Sequence, residues 1–154
     1  MAKILYGDSI GRTGRIRVGC SAVIFDGDQR ILLTRRADNG LWCLPSGGME
    51  PGEDVETTCK RETLEETGLA ISIVRLIGIY STPHELIVYP DGNQIQLVAL
   101  CFEAVVTGGR LQLSDETTQF GYFSLQEMSD LDMLPNHVRR IDDAYARAAQ
   151  PFIR

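Results

Sequence analysis

Residues 47–69 read GGMEPGEDVETTCKRETLEETGL, and the spacing of charge within them decides the fold. Seven acids (Glu50, Glu53, Asp54, Glu56, Glu62, Glu65 and Glu66) are offset only by Lys60 and Arg61, which puts −5 of a chain total of −6 in this stretch. Like charge at that density opposes folding unless something compensates it, and hard divalent cations prefer carboxylate oxygens. The spacing predicts a helix from near Asp54 to about Thr67, with Gly68 at the C′ position that stops it. Glu62, Glu65 and Glu66 are then neighbours at i, i+3 and i+4. At roughly 100° per residue, Val55 and Cys59 define the apolar side, and Glu62 and Glu66 fall within roughly 20° of Val55. Two glutamates therefore share the direction of the apolar residues, although Leu64 falls on the opposite side. Composition alone leaves a charged surface helix as an equal alternative.

The whole stretch decides between these readings. Gly47, five residues, Glu53, seven residues, then Arg61-Glu62-Thr63-Leu64-Glu65-Glu66-Thr67-Gly68-Leu69 resembles the signature of the Nudix hydrolase superfamily, G-x5-E-x7-R-E-U-x-E-E-x-G-U, where U is a bulky aliphatic residue. The one departure is Thr63 at the first U position, which keeps the β-branched shape and adds a hydroxyl. The resemblance extends from roughly residue 17 to 145. It implies an α/β (α+β) chain with the Nudix fold, a mixed β-sheet in an α/β/α sandwich. It implies Glu62, Glu65 and Glu66 as ligands of one to three Mg²⁺ or Mn²⁺ ions, with the backbone carbonyl of Ser46 as a further candidate. The general base is left unassigned among Glu62, Glu65, Glu66 and Glu116. Gly47, Gly48 and Gly68 are expected to support the site, the first two by a tight loop. Glu53 and Arg61 are expected to pair and hold that loop against the helix, alongside an i, i+4 contact of Arg61 with Glu65.

Outside this box, Glu116 in Ser114-Asp115-Glu116-Thr117-Thr118 is the expected additional metal or base carboxylate, with an exposed turn acid as the alternative. Glu103 is a weaker candidate. Arg35 and Arg36 are candidates for a phosphate, one of them being the expected solvated strand end. Tyr80 and Trp42 could stack on a base, though Trp42 suits core packing under the loop better. The implied activity is divalent-metal-dependent hydrolysis of a pyrophosphate linkage in a nucleoside diphosphate derivative. Nucleotide sugars, nucleoside triphosphates and dinucleoside polyphosphates all remain open. Two other classes are kept: a non-catalytic nucleotide-binding regulatory module, and an isoprenoid diphosphate isomerase, for which Cys43 would be the cysteine.

The chain has 154 residues, 44% of them hydrophobic, which suits one domain over residues 1–154. Its net charge of −6 argues against a broad nucleic-acid surface. The N-terminus lacks a signal-like apolar run and no stretch reaches transmembrane length, so a cytoplasmic monomer or homodimer with a small-molecule substrate is expected. Cys20, Cys43, Cys59 and Cys101 form no CxxC pair and read as reduced, mostly buried thiols, and two histidines argue against a zinc site. Residues 1–16 read as an extended polar arm. Val18 to Phe25 and Arg30 to Arg35 read as a hairpin around Asp26-Gly27-Asp28, and Leu41 to Leu44 as a short extended segment. Ala70 to Tyr80 is an expected strand, followed by a loop through Pro83 and a turn at Pro90-Asp91-Gly92-Asn93. Gln94 to Val106 is a long strand turning at Gly108-Gly109 into Leu111 to Leu113. Phe120 to Phe123 is another strand. Ser124 caps a short helix through Ser129, and Pro135 opens a last helix to about Ala149 with Val138, Ile141 and Tyr145 at helical spacing.

Overall fold

In the computed structural model, which describes residues 1–154, the chain runs through β1 (Lys3–Tyr6), a 3-10 turn (Ile10–Thr13), β2 (Arg15–Ile24), β3 (Ile31–Arg36), β4 (Trp42–Cys43), β5 (Ser46–Gly48) and α1 (Val55–Thr67). It continues through β6 (Leu69–Tyr80), β7 (Glu85–Val88), β8 (Gln94–Gly109), β9 (Thr117–Phe123), α2 (Leu125–Met128), α3 (Pro135–Ala146) and β10 (Phe152–Ile153). Strand β8 is the spine of the larger sheet. It runs parallel to β2, from Arg15 opposite Ile95 to Ile24 opposite Ala104. Its other edge is shared by β7 near Ile95 and by β6 from Ala99 onward, both antiparallel. Strand β5 closes the far side of β2, pairing Gly19 with Gly48, Cys20 with Gly47 and Ser21 with Ser46. A smaller sheet is ordered β4-β3-β9.

Strand β2 is buried on both faces because its residues alternate between two cores. Cys20, Ala22 and Ile24 pack with Cys59 of α1, whereas Val23 packs with Ile141 and Ala144 of α3. Helices on opposite faces of one mixed sheet make the expected α/β/α arrangement. No helix is long and apolar enough to cross a membrane. All four cysteines are free thiols and buried.

Several local expectations are corrected. Residues 1–16 are not an arm: β1 pairs with β7, which was read as loop, and β2 already begins at Arg15. Strands β2 and β3 are consecutive but belong to different sheets, and only Phe25 bridges to Ile31. After Gly109 the chain does not return as a strand. Instead Arg110 N–H donates to Gly68 O at 3.2 Å and Gln112 N–H to Thr67 O at 2.9 Å, so the segment seals the end of α1. Helix α3 stops at Arg147, and its buried side is His137, Arg140, Ile141, Asp143 and Ala144, while Val138 is 42% exposed. Gly47 and Gly48 form a strand, not a tight loop, and neither has a positive φ.

Candidate active site

Helix α1 begins where Asp54 accepts a hydrogen bond from Thr57 N–H at 2.7 Å, and it ends at Gly68, whose φ of 76° suits glycine. Between these caps it buries Thr58, Cys59, Thr63, Glu66 and Thr67 and leaves Leu64 exposed. Thr63, the departure from the signature, is thus on the packed face. Polar residues on that face carry the glutamates inward with it.

Glu66 is only 6% exposed. Its Oε2 accepts from Ser46 N–H at 2.9 Å, and it is in no ion pair. Burial pushes its carboxyl up to about 8; the Ser46 N–H opposes that shift, and neighbouring Glu62 adds to it. Glu62 is also raised, again by burial first, with Arg61 opposing. A Cβ on Gly47 would overlap the Glu62 carboxylate, so glycine is required there for close approach.

Arg61 ties this region together. Its Nε and Nη2 donate to Glu53 Oε1 at 2.6 Å and Oε2 at 3.0 Å, and Nη2 donates to Gly48 O at 3.1 Å. Its Nη1 donates to Glu62 Oε1 at 2.8 Å and Glu65 Oε2 at 3.1 Å. The Glu53 and Glu65 contacts expected for this arginine therefore coexist. Hydrogen bonding from Arg61 holds the Glu53 carboxyl down to about 2, helped by Glu50 N–H.

These groups line a cleft of about 410 Å³ that bends over the edge strand β5. Glu62, Glu65, Glu66 and Glu116 lie in it, as do Ser46, Arg36 and Arg61. Arg36 is shared with Asp38 at 2.9 Å. Other expected residues stand elsewhere. Arg35 donates to Gly40 O at 2.9 Å and Glu103 pairs with Arg75 at 2.6 Å, both outside the cleft lining. Trp42 packs edge-on against Phe123 at 4.9 Å. Tyr80 lines an adjoining cavity of about 590 Å³ and donates to Asp143 Oδ2 at 2.9 Å. Cys43 is buried beside Thr34, its thiol pushed up to about 11 by burial, and does not face the cleft.

The sequence reading missed four cleft residues. Arg17 lies against Gly48 and is in no ion pair. Asn136, His137 and Arg140 come from the first turns of α3. The i, i+3 spacing of His137 and Arg140 is visible in the sequence, but nothing there shows that this side of the helix turns to the cleft.

No three His, Cys, Asp or Glu side chains converge closely enough to share one ion, and Arg61 Nη1 bridges Glu62 and Glu65. The donor chemistry still suits a hard divalent cation: carboxylate oxygens, one of them buried and uncompensated.

Residues 15–146 match the family model described as NUDIX domain. The chain is 37% identical over 111 residues to an ADP-ribose pyrophosphatase of Methanocaldococcus jannaschii, spanning 70% of this chain and 62% of that relative. It is 30% identical over 129 residues to a nucleoside triphosphatase, NudI, of Salmonella arizonae, spanning 77% and 91% respectively. Among solved structures, a NUDIX hydrolase from Nitrosomonas europaea aligns with a TM-score of 0.73 at 26% identity, over 90% of this chain and 94% of that one.

Proposed function

This chain belongs to the NUDIX family of pyrophosphate-cleaving hydrolases, and we propose that it cleaves a nucleoside diphosphate derivative with Mg²⁺ or Mn²⁺ held by Glu62, Glu65 and Glu66. The observation that carries this reading is the buried Glu66 carboxylate, which no cation of the protein pairs with. A carboxylate kept in that state costs stability unless a ligand repays the desolvation.

Bound divalent cations supply charge neutralisation on the diphosphate and make water more acidic. The protein supplies the rest. Glu62 and Glu65 would hold the cation in place of their bonds to Arg61 Nη1, while the two bonds of Arg61 to Glu53 and its bond to Gly48 O would keep the strand and helix in register. Arg17 and Arg36 face the same cleft and offer charge-assisted hydrogen bonds to phosphoryl oxygens. Glu116 lines the same cleft as Glu62 and Glu66, and its carboxylate oxygen can accept the proton of attacking water. The named relatives act on different compounds, ADP-ribose and nucleoside triphosphates, so the shared element is a nucleoside 5′-diphosphate.

The test is product analysis over nucleoside triphosphates, nucleotide sugars, ADP-ribose and dinucleoside polyphosphates, with Mg²⁺, Mn²⁺ or excess chelator. Cleavage at the pyrophosphate linkage is expected, lost in chelator, with Glu66→Gln lowering kcat by about 10²-fold or more. Undiminished turnover in chelator would overturn the mechanism.

A further inference from the structure

Strand β10 lies along the edge of β6, and the arginine that follows it occupies an acid of α3. Phe152 stands opposite Gly78 and Ile153 opposite Ile79, in parallel. Arg154 N–H donates to Ile79 O at 2.8 Å, and Ser81 N–H donates to Arg154 O at 2.7 Å, so the Arg154 backbone is fixed on both sides. The approach is close: a Cβ on Gly78 would lie 3.0 Å from Phe152 O. The Arg154 guanidinium sits over the Phe152 ring at 4.6 Å. It holds Asp143 with two bonds, Nη2 to Oδ1 at 2.8 Å and Nε to Oδ2 at 3.1 Å. Such paired geometry is the strong form of an arginine–carboxylate contact. Tyr80 O–H donates to the same Oδ2 at 2.9 Å.

Asp143 is buried, and Arg140 precedes it by three positions on α3, the spacing at which helix side chains meet. Arg140 is 3% exposed and in no ion pair. Its Nη1 donates weakly to Ser21 Oγ at 3.5 Å, and its Nε has no partner. The Tyr80 ring lies 5.6 Å from the guanidinium and uses none of its N–H groups. Glu85 of β7 lines the same adjoining cavity but forms no ion pair with it. Burial lowers the Arg140 pKa from the ordinary arginine value, yet a guanidinium stays charged. A buried cation in this state gains by taking a buried carboxylate. Asp143 is the one its own helix offers, and Tyr80 touches both, by its hydroxyl and by its ring. The two bonds from Arg154 hold that carboxylate away.

We propose that Arg154 is a positioning residue for the cleft: by occupying Asp143 it leaves the Arg140 guanidinium without a counterion in the protein, free for an anionic substrate. Without Arg154, Asp143 neutralises Arg140 and draws it from the cleft wall. The use of that charge by substrate rests on the nucleotide reading above; the competition of two arginines for one carboxylate does not. Arg139 is the other cation near Asp143 and is exposed. If Asp143 turned to Arg139 instead, Arg140 would be unaffected.

Thermal melts in chelator and phosphate-free buffer test the competition with Arg140→Met in three backgrounds: wild type, Arg154→Met, and Arg154→Met with Asp143→Asn. In wild type, Arg140→Met is expected to raise the melting temperature, because it removes an uncompensated buried charge. In Arg154→Met it is expected to lower it, because it breaks the new pair, and Asp143→Asn should restore the rise. No ligand is involved, so these melts decide the positioning separately from the hydrolase reading. With Mg²⁺ and whichever of ATP and ADP-ribose is cleaved, Arg154→Met should raise KM by about tenfold with kcat little changed. Arg154→Lys, which keeps a cation on Asp143, should stay near wild type, and adding Asp143→Asn to Arg154→Met should bring KM back. A strap that only stabilises the fold gives no such rescue. The same sign of melting shift in all three backgrounds, a KM unmoved by Arg154→Met, or a KM raised equally with and without Asp143→Asn would overturn the proposal.

Discussion

A carboxylate buried like that of Glu66 carries its own pH signature. Its carboxyl sits at about 8 against an ordinary value of 4.5, so the folded chain holds a proton there that the unfolded chain has released. With chelator present, this group contributes most to stability below pH 4.5, and that contribution is lost as pH rises to about 8. The slope is at most about 1.4 kcal/mol per pH unit. Thermal melts of wild type and Glu66→Gln in chelator should therefore diverge as pH rises, the variant becoming the more stable. Millimolar Mg²⁺ should raise the wild type more than the variant. Equal metal shifts in both, with the variant less stable at every pH, would make Glu66 a structural acid. The glutamate set was legible because charge spacing survives in one dimension. The inward side of α3 with His137 and Arg140 was not, since whether an arginine on a helix points inward depends on what the opposing sheet offers.

Among elements, the start of α1 near Asp54 and its stop at Gly68 were readable, because Asp54 and Gly68 act through local backbone geometry. The strand partners were not. A hairpin between β2 and β3 fitted the turn signal at residues 26–28, but β2 has apolar residues on both faces and is taken into the interior of the larger sheet by β8 and β5. The glycines separate two kinds of requirement. Gly47→Ala has no backbone strain to meet, yet its Cβ would displace the Glu62 carboxylate. We expect it to lower kcat by about tenfold or more with little change in melting temperature. Gly68→Ala must hold φ near 76° and also place a Cβ against Arg110 O and Gln112, so it should cost more than about 1 kcal/mol of stability while kcat changes little. Paired denaturation curves and steady-state kinetics on both variants check this; the same ordering of losses in the two assays would refute the distinction.

For the whole molecule, the sheet separates two tasks. One face carries α1 and its carboxylates, the other carries α3, and the cleft joins them around β5. Against a net charge of −6, the arginines that line the cleft outside the box are few and local: Arg17, Arg36 and Arg140. The N-terminal residues contribute to only one of these tasks. Strand β1 pairs Lys3–Tyr6 with β7, and Gly7 N–H and Gly11 N–H donate to His84 O at 3.1 Å and Pro83 O at 2.8 Å. This fastening fixes β7, whose Ile87 walls both cavities beside Arg140. Removing residues 1–8 should therefore loosen the α3 end of the cleft and leave the carboxylates of α1, tied to β5 through Ser46 and Gly48, in place. The expected kinetic pattern is a rise in KM of about threefold or more with kcat nearly unchanged. The β7 edge so exposed should also promote self-association, visible by size-exclusion chromatography. If kcat falls while KM holds, or if the truncated chain is kinetically identical to the full chain, then β1 does not position the Ile87 wall of the cleft and that wall is set by β8 and α3 alone.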